Sequence, residues 1–461
     1  MKQQIRFLPY NRLFGTSGIR GVVGQDLSLD FCQEVAQAIG TRLAPHSKAC
    51  VSTDTRVSRE AVKGAVISGL RSSGIDVTDL GILPTPALAF LTRDMGFDTG
   101  AMITASHNPP QFNGIKLFNG NSIGYTKAQE AEIEEIYYKK KFRAGYPGNL
   151  IQSQEAKERY LQFMLDRFLT KSFNRSLRIV IDPGNGAASG FASELFSMVG
   201  FDVIPLNDEP DGLFPGRNPE PKEDTLVNTI EFLRRRNADL AVCFDGDADR
   251  VVFCDKEGFL GFNEMIAFIS RLAVKESKKT RVATTVETGM LLNLALKGLG
   301  VEIVRGRVGD VSVAYLAQEL DAAIGVEPVG VYIMPEAGYY PDSMFATLTL
   351  LHQIRELAEI RDFFKEMPQL FLGQRKLPCP NNIKAAAMEE IEENADFFGT
   401  GQINTLDGLR FEFGASWMLI RASGTEPAVR VIAESSSKAE TETLLNRGTQ
   451  AVESALRKVK I

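Results

Sequence analysis

Residues 177–208, LRIVIDPGNGAASGFASELFSMVGFDVIPLND, decide the fold. A β-rich run from Leu177 to Ile181 ends at Asp182, Pro183-Gly184-Asn185-Gly186 bends the chain, a helical segment runs to Gly200, and a second β-rich run follows. This is strand, turn, helix, strand, the repeating unit of an α/β protein.

The pattern occurs three times. An earlier copy runs from ACVSTDTRVSRE through AVKGAVISGLRSSG to IDVTDLGI, and a later one from RVATTVETG through MLLNLALKGLG to VEIVRGRVGD. Each first strand ends near an acidic residue, Asp54, Asp182 or Glu287, and each helix closes at a glycine, Gly74, Gly200 or Gly300. Any α/β chain alternates strands with helices, but the matched step after the glycine, as in Gly74-Ile75-Asp76-Val77, favours related units. Upstream, Phe31, Val35, Ile39 and Leu43 follow Ser28-Leu29-Asp30 and predict a capped amphipathic helix. From about residue 371 short strands (INTLDGLRFEF, SWMLIRAS, AVRVIAES) precede a helix with a capping box from Ser437 to Glu440. The expected fold is three similar α/β domains, 1–150, 151–256 and 257–370, plus a C-terminal α+β domain, 371–461. The breaks are placed near YYKKKFRAGYPGN, near Lys256-Glu257-Gly258, and in LGQRKLPCPNN, whose two prolines read as a linker.

Composition narrows the function. The 461 residues are 44% hydrophobic and 24% charged, ordinary for a globular protein of several domains. A net charge of −6 argues against nucleic-acid or anionic-membrane partners. No apolar run approaches the roughly 20 residues of a membrane span, and MKQQIRFLPYNRLFG lacks the apolar core of a signal peptide, so a cytoplasmic protein is expected. The five cysteines are scattered without a CxxC pair and read as thiols in a reducing compartment. With three histidines and no GxSxG elbow, a His-rich zinc site and a Ser-His-Asp hydrolase are both disfavoured.

Three stretches concentrate chemistry. In TASHNPPQFNGIKLF the prolines and Asn-Gly force Ser106 and His107 onto a loop ahead of Lys116, which reads equally as a plain turn or an active loop. In CFDGDADRVVF, Asp245, Asp247 and Asp249 alternate behind an apolar strand; carboxylates that close repel unless a cation holds them, and hard oxygen donors suit Mg²⁺. An EF-hand fails because position 12 would be Lys256, a DxDx[TV] phosphatase motif is a weaker rival because its fifth position is Asp249, and a solvated acidic turn is the bland alternative. In RASGTEPAVRV, Ser423, Gly424 and Thr425 offer hydroxyls and backbone N–H groups, and Arg421 and Arg430 add forked donors; the reading is a phosphate-binding turn or an ordinary β-turn. FGTSGIRG adds Arg20, and GVEPVGVYIM adds Glu327 between glycines. A hydroxyl nucleophile, a carboxylate-held cation, a lysine, arginines and a separate phosphate turn together describe phosphoryl transfer.

FGTSGIRG, TASHNPPQFNGIKLF, FDGDADR and RASGTEP, in this order, resemble the α-D-phosphohexomutase family of phosphoglucomutases, phosphomannomutases and phosphoglucosamine mutases, and the resemblance spans the chain. It implies four domains around a central cleft and an enzyme that interconverts hexose 1-phosphate and hexose 6-phosphate. Ser106 matches the phosphoserine, which exchanges its phosphoryl group with the sugar through a hexose 1,6-bisphosphate, also the activator. Asp245, Asp247 and Asp249, with an oxygen on Ser106, match the Mg²⁺ ligands. Arg20, His107 and Lys116 match groups around the phosphoserine, and Arg421, Ser423, Gly424, Thr425 and Arg430 match the loop that grips the non-reacting phosphate. The expected partners are hexose phosphates, with the chain a monomer or homodimer.

One segment departs from the family pattern. Many members carry GExSGH in the sugar loop; here Glu327 and Gly330 are kept, but Val329 and Val331 replace serine and histidine. This predicts that Glu327 reads the sugar with backbone groups, that C2 epimers are poorly discriminated, that Arg250, Lys116 or water assists proton transfer, and that histidine at 331 is tolerated if the loop stays mobile. The competing readings are a metal-dependent phosphatase and a non-catalytic sugar-phosphate binder.

Overall fold

The computed structural model describes residues 12–399, 402–424 and 426–459. Its three α/β units share one plan. In the first, the strand Lys48–Thr53 pairs in parallel with Asp76–Ile82 on one side and Thr99–Ile103 on the other, and Phe112–Asn119 returns antiparallel to Thr99–Ile103. In the second, Arg178–Asp182 lies between Asp202–Pro205 and Leu240–Phe244, with Val251–Cys254 returning antiparallel. In the third, Arg281–Thr285 lies between Glu302–Gly306 and Ile324–Glu327, with Val331–Ile333 returning. The first sheet gains Ile19–Val22 and Leu150–Gln152 at its edges, and the second gains Phe259–Leu260.

The plan positions chemistry, because the turn between the third and fourth strands is the SHNPP loop in the first unit, the DGDAD loop in the second and the EPVGV turn in the third. The buried core is continuous across the three units, from Cys50 and Met102 through Ile179 and Phe244 to Tyr332 and Phe345. Burial of that shared apolar surface holds the three sheets in a fixed relation.

The C-terminal unit is an antiparallel sheet ordered Phe371–Pro378, Ala428–Ser435, Ser416–Ala422, Leu409–Glu412, Gln402–Asn404, backed by the helix Lys438–Val459. The stretch expected to be a linker is thus mostly its edge strand, paired over eight residues with Ala428–Ser435. Its residues alternate between half-buried and exposed, a period-2 pattern that outweighs its prolines, which fall at and beyond the strand end. Capping also differs in one place. Ser28 caps Leu29–Arg42 as expected, accepting from Phe31 N, whereas at Ser437 only half of the capping box forms: Ser437 Oγ accepts from Glu440 N at 3.5 Å, but Glu440 accepts from Ser416 Oγ and the Ser437 N–H donates to Ser435 Oγ. All five cysteines are buried. Among the described residues no helix is long and apolar enough to cross a membrane.

Candidate active site

Ser106 stands at a left-handed backbone position, φ 51°, and is buried. A left-handed serine is uncommon and needs local support. Its N–H donates to Thr104 Oγ1 at 2.8 Å, Thr104 Oγ1 donates to Asp54 Oδ2 at 2.6 Å, and Asp54 pairs with Arg56. Fully buried Arg56 then donates to the carbonyls of Ser106, Asn108, Pro109 and Phe112, so one guanidinium fixes the whole loop.

Ser106 Oγ donates to Asp245 Oδ2 at 2.7 Å and lies 3.2 Å from His107 Nδ1. The two loops meet closely, since a side chain on Gly246 would come within 2.5 Å of the Ser106 carbonyl oxygen. Burial, with Arg250, Arg20, Arg56 and Lys116 adding repulsion, pushes the His107 imidazole down to about 2 and keeps it neutral.

Asp245, Asp247 and Asp249 are buried and offer ligand atoms within 4.8 Å of one another. Burial, then repulsion from Asp247 and Asp249, drives Asp245 well above the usual carboxylate range. Burial and Asp249 raise Asp247, while at Asp249 burial is overcome by Lys116 and Arg250, which hold it low. Thr85 Oγ1 donates to Asp247 Oδ2 at 2.6 Å, but Asp247 Oδ1 and Asp249 Oδ1 are buried without a hydrogen-bond partner. Buried orphan carboxylate oxygens are costly, and a hard divalent cation would satisfy them, so the donor set fits Mg²⁺.

Cations surround this cluster. Lys116 Nζ lies 2.7 Å from Asp249 Oδ2 and 2.8 Å from Asp310 Oδ2. Arg20 Nη1 donates to Asn108 Oδ1 at 3.0 Å, and Arg250 Nε lies 3.9 Å from Asp249 Oδ1 while the Arg250 backbone N donates to Asp245 Oδ1 at 3.1 Å. The third unit joins through its strands: Val251 N donates to the Gly330 carbonyl at 3.0 Å. Gly330, at φ +83°, would place any Cβ 2.5 Å from the Val251 carbonyl oxygen, which accounts for glycine there. Glu327 accepts from Gly309 N at 2.8 Å, and burial, followed by the charge of Asp310, raises its carboxyl to about 7.

Val331 corrects a sequence expectation. Its side chain is 2% exposed and joins the core cluster of Ala283, Val313 and Ile333, with Val329 packed against the same cluster. Val331 thus faces the interior of the third unit and not an open cleft, while Val329 stays half-buried, so histidine at 331 is not accommodated freely.

The phosphate-turn residues lie beside the same region. Gly424 approaches Thr16 of the FGTSG loop, since a Cβ on it would be 3.1 Å from Thr16 Oγ1. Ser423 Oγ accepts from Glu426 N, and Arg430 is ion-paired to Glu426 at 3.0 Å. Arg421 is held between Glu287 and Asp407. Thr425 lies outside the described residues. Sequence reasoning missed Arg56, Thr85, Asp310 and Asp407; Arg56, Asp310 and Asp407 lie in the strand and repeat patterns, where nothing local marks them as part of a site, and Thr85 lies outside those patterns.

Four family models cover most of the chain. Phosphoglucomutase/phosphomannomutase alpha/beta/alpha domains I, II and III match residues 11–144, 158–258 and 262–371, and the C-terminal domain matches 376–448. A probable phosphoglucosamine mutase of Pyrococcus abyssi is 38% identical over 452 residues, 97% of this chain and 99% of that protein. A phosphoglucosamine mutase of Methanococcus vannielii is 36% identical over 460 residues, 97% and 100% of the two. The crystal structure of a phosphoglucomutase/phosphomannomutase family protein from Burkholderia thailandensis superposes with a TM-score of 0.84 at 26% identity, covering 96% of this chain and 97% of that one.

Proposed function

The chain belongs to the phosphoglucomutase/phosphomannomutase family, and from that premise we propose that it interconverts hexose 1-phosphate and hexose 6-phosphate through a phosphorylated Ser106, with glucosamine phosphate the first candidate substrate because its relatives carry that name. The observation that carries the reading is the contact of Ser106 Oγ with Asp245 Oδ2, a nucleophilic hydroxyl aimed into three buried carboxylates.

Asp245, Asp247 and Asp249 would hold Mg²⁺, which supplies charge neutralisation for the transferring phosphoryl group. The Arg56 clamp fixes Ser106 before reaction, so little loop ordering remains during transfer. Lys116, Arg20 and Arg250 place fixed positive charge around the oxygens that gain charge in transfer. Phospho-Ser106 donates its phosphoryl group to one sugar oxygen, the resulting hexose 1,6-bisphosphate turns over, and Ser106 Oγ takes the phosphoryl group back from the other oxygen. Arg421 and Ser423 hold the phosphate that is not reacting, and Glu327 accepts hydrogen bonds from sugar hydroxyls.

The test is turnover of glucosamine, glucose and mannose 1-phosphates with Mg²⁺ and catalytic hexose 1,6-bisphosphate, for wild type and Ser106→Ala. The expected result is isomer formation by wild type, fastest with glucosamine phosphate, and none by a folded Ser106→Ala protein. Release of inorganic phosphate without isomer would assign a phosphatase, and binding without turnover would assign a non-catalytic protein; either overturns the proposal.

A further inference from the structure

The acidic residues at or just past the end of the first strand of each repeat, Asp54, Asp182 and Glu287, each clasp an arginine. Asp54 Oδ2 lies 3.0 Å from Arg56 Nε, whose fork holds the Ser106 loop. Asp182 Oδ2 lies 2.9 Å from Arg217 Nε, and Arg217 Nη2 donates to the Phe244 carbonyl at 2.6 Å, at the root of the acidic loop. In the third repeat the acid is longer by one methylene and its arginine comes from the C-terminal unit: Glu287 Oε1 is 3.1 Å from Arg421 Nη1. Asp407 Oδ2 takes Arg421 Nε at 3.0 Å while also accepting from Val308 N of the third unit at 2.9 Å.

The three pairs differ in one respect that matters. The arginine side chains of the first two are 0% and 4% exposed, which limits them to supporting backbone, whereas Arg421 and Glu287 are 10% and 16% exposed. Two of Arg421's donor groups, Nε and Nη1, are spent on carboxylates, and its Nη2 group makes no hydrogen bond among the described residues. A planar guanidinium held at Nε by one carboxylate and at Nη1 by another is fixed in plane and direction, and its remaining Nη2 group is left to donate to an anion.

We infer that Glu287 is a positioning residue for phosphate recognition: with Asp407 it orients Arg421, and so the C-terminal unit, toward the substrate's non-reacting phosphate. The inference rests on the mutase reading for the identity of that phosphate. It extends the repeat's acid-arginine device from holding loops within a unit to holding a binding arginine across two units.

The experiment compares wild type, Glu287→Gln, Glu287→Ala, Arg421→Ala and the Glu287→Ala/Arg421→Ala double variant. Calorimetric titration with inorganic phosphate and steady-state kinetics on hexose 1-phosphates are read side by side. Loss of the orienting charge should weaken inorganic phosphate binding and raise KM by about tenfold, the order of one charge-assisted hydrogen bond, with a smaller change in kcat. The double variant should bind no more weakly than Arg421→Ala alone, because a positioning residue has no effect once its arginine is gone. Additive losses, unchanged phosphate binding in the near-isosteric Glu287→Gln, or tighter binding would each overturn the inference, the last by showing that Glu287 competes with the anion. If no variant and no wild type isomerises any sugar, the mutase reading fails while the phosphate titration still decides the role of Glu287.

Discussion

Lys116 and Asp310 form a salt bridge of 2.8 Å between the first and third units, and the same ammonium lies 2.7 Å from Asp249 of the second. Burial alone would favour the neutral amine, but Asp249 and Asp310 together hold the lysine charged and raise its pKa. Asp310 opens the helix Asp310–Glu319, where a carboxylate is also stabilised by the helix dipole. In Asp310→Asn the ammonium should lean fully on Asp249, competing with the cation for it. The expected outcome is a fall in kcat of about tenfold and weaker apparent Mg²⁺ affinity, the scale of one charge-assisted contact. A variant with wild-type kcat and Mg²⁺ dependence would remove Asp310 from the site.

Arg56→Lys tests the loop clamp. Lysine can keep the pair with Asp54, but it has no planar fork to serve four carbonyls of residues 106–112. Several buried acceptors lose their donor, so a loss of about 2 to 4 kcal/mol in unfolding free energy is expected, with turnover reduced further because Ser106 is no longer fixed. Thermal melts and kcat on the same preparation check this; full activity would show that the loop holds itself.

The repeat and the acidic and hydroxyl loops were legible because each is a local pattern. Asp182, the Gly184 turn and Gly200 lie within one short stretch, and Asp245, Asp247 and Asp249 announce their repulsion by spacing alone. Thr85 was not legible: it reaches Asp247 across 162 positions, and a threonine between prolines carries no chemical signature. Asp407 was hidden in the same way, since its pairing with Arg421 and Val308 exists only when two units pack. The strand Phe371–Pro378 was misread because proline and charge were weighed above a period-2 alternation, and the tolerance of histidine at 331 was misjudged because the core neighbours of Val331 on the Asp310–Glu319 helix are distant in sequence.

Glu327 supplies a pH dependence. Its folded value of about 7 lies above its ordinary 4.5, so the folded state binds a proton more tightly than the unfolded one. The associated stability is present in full below about 4.5 and is lost as pH rises through about 7. Glu327→Gln should therefore be more stable than wild type at pH 8, with the advantage gone at pH 4. In kcat/KM the wild type should show an ionisation near pH 7, rising with pH because the carboxylate is the stronger acceptor for sugar hydroxyls, and the glutamine variant should lack it. Identical pH profiles for the two proteins would show that the carboxyl does not titrate there.

Val331→His separates an interior role from a sugar-facing one. Val331 is 2% exposed, pairs in register with Glu327, and packs with Val313 and Ile333 under the helix Asp310–Glu319. An imidazole is larger than the valine side chain and brings ring nitrogens that need partners, so the expected cost is about 1 to 3 kcal/mol, read as a lowered Tm. Because the side chain points into the unit, the ratio of catalytic efficiencies on glucosamine, glucose and mannose 1-phosphates should stay within a few fold of wild type even as total activity falls with stability. Val331→Ala is the companion: it leaves a cavity instead of a clash, and should also lower Tm without changing that ratio. A shift of tenfold or more in preference by either variant, with Tm unchanged, would place residue 331 against the sugar after all and return the valine to the specificity loop.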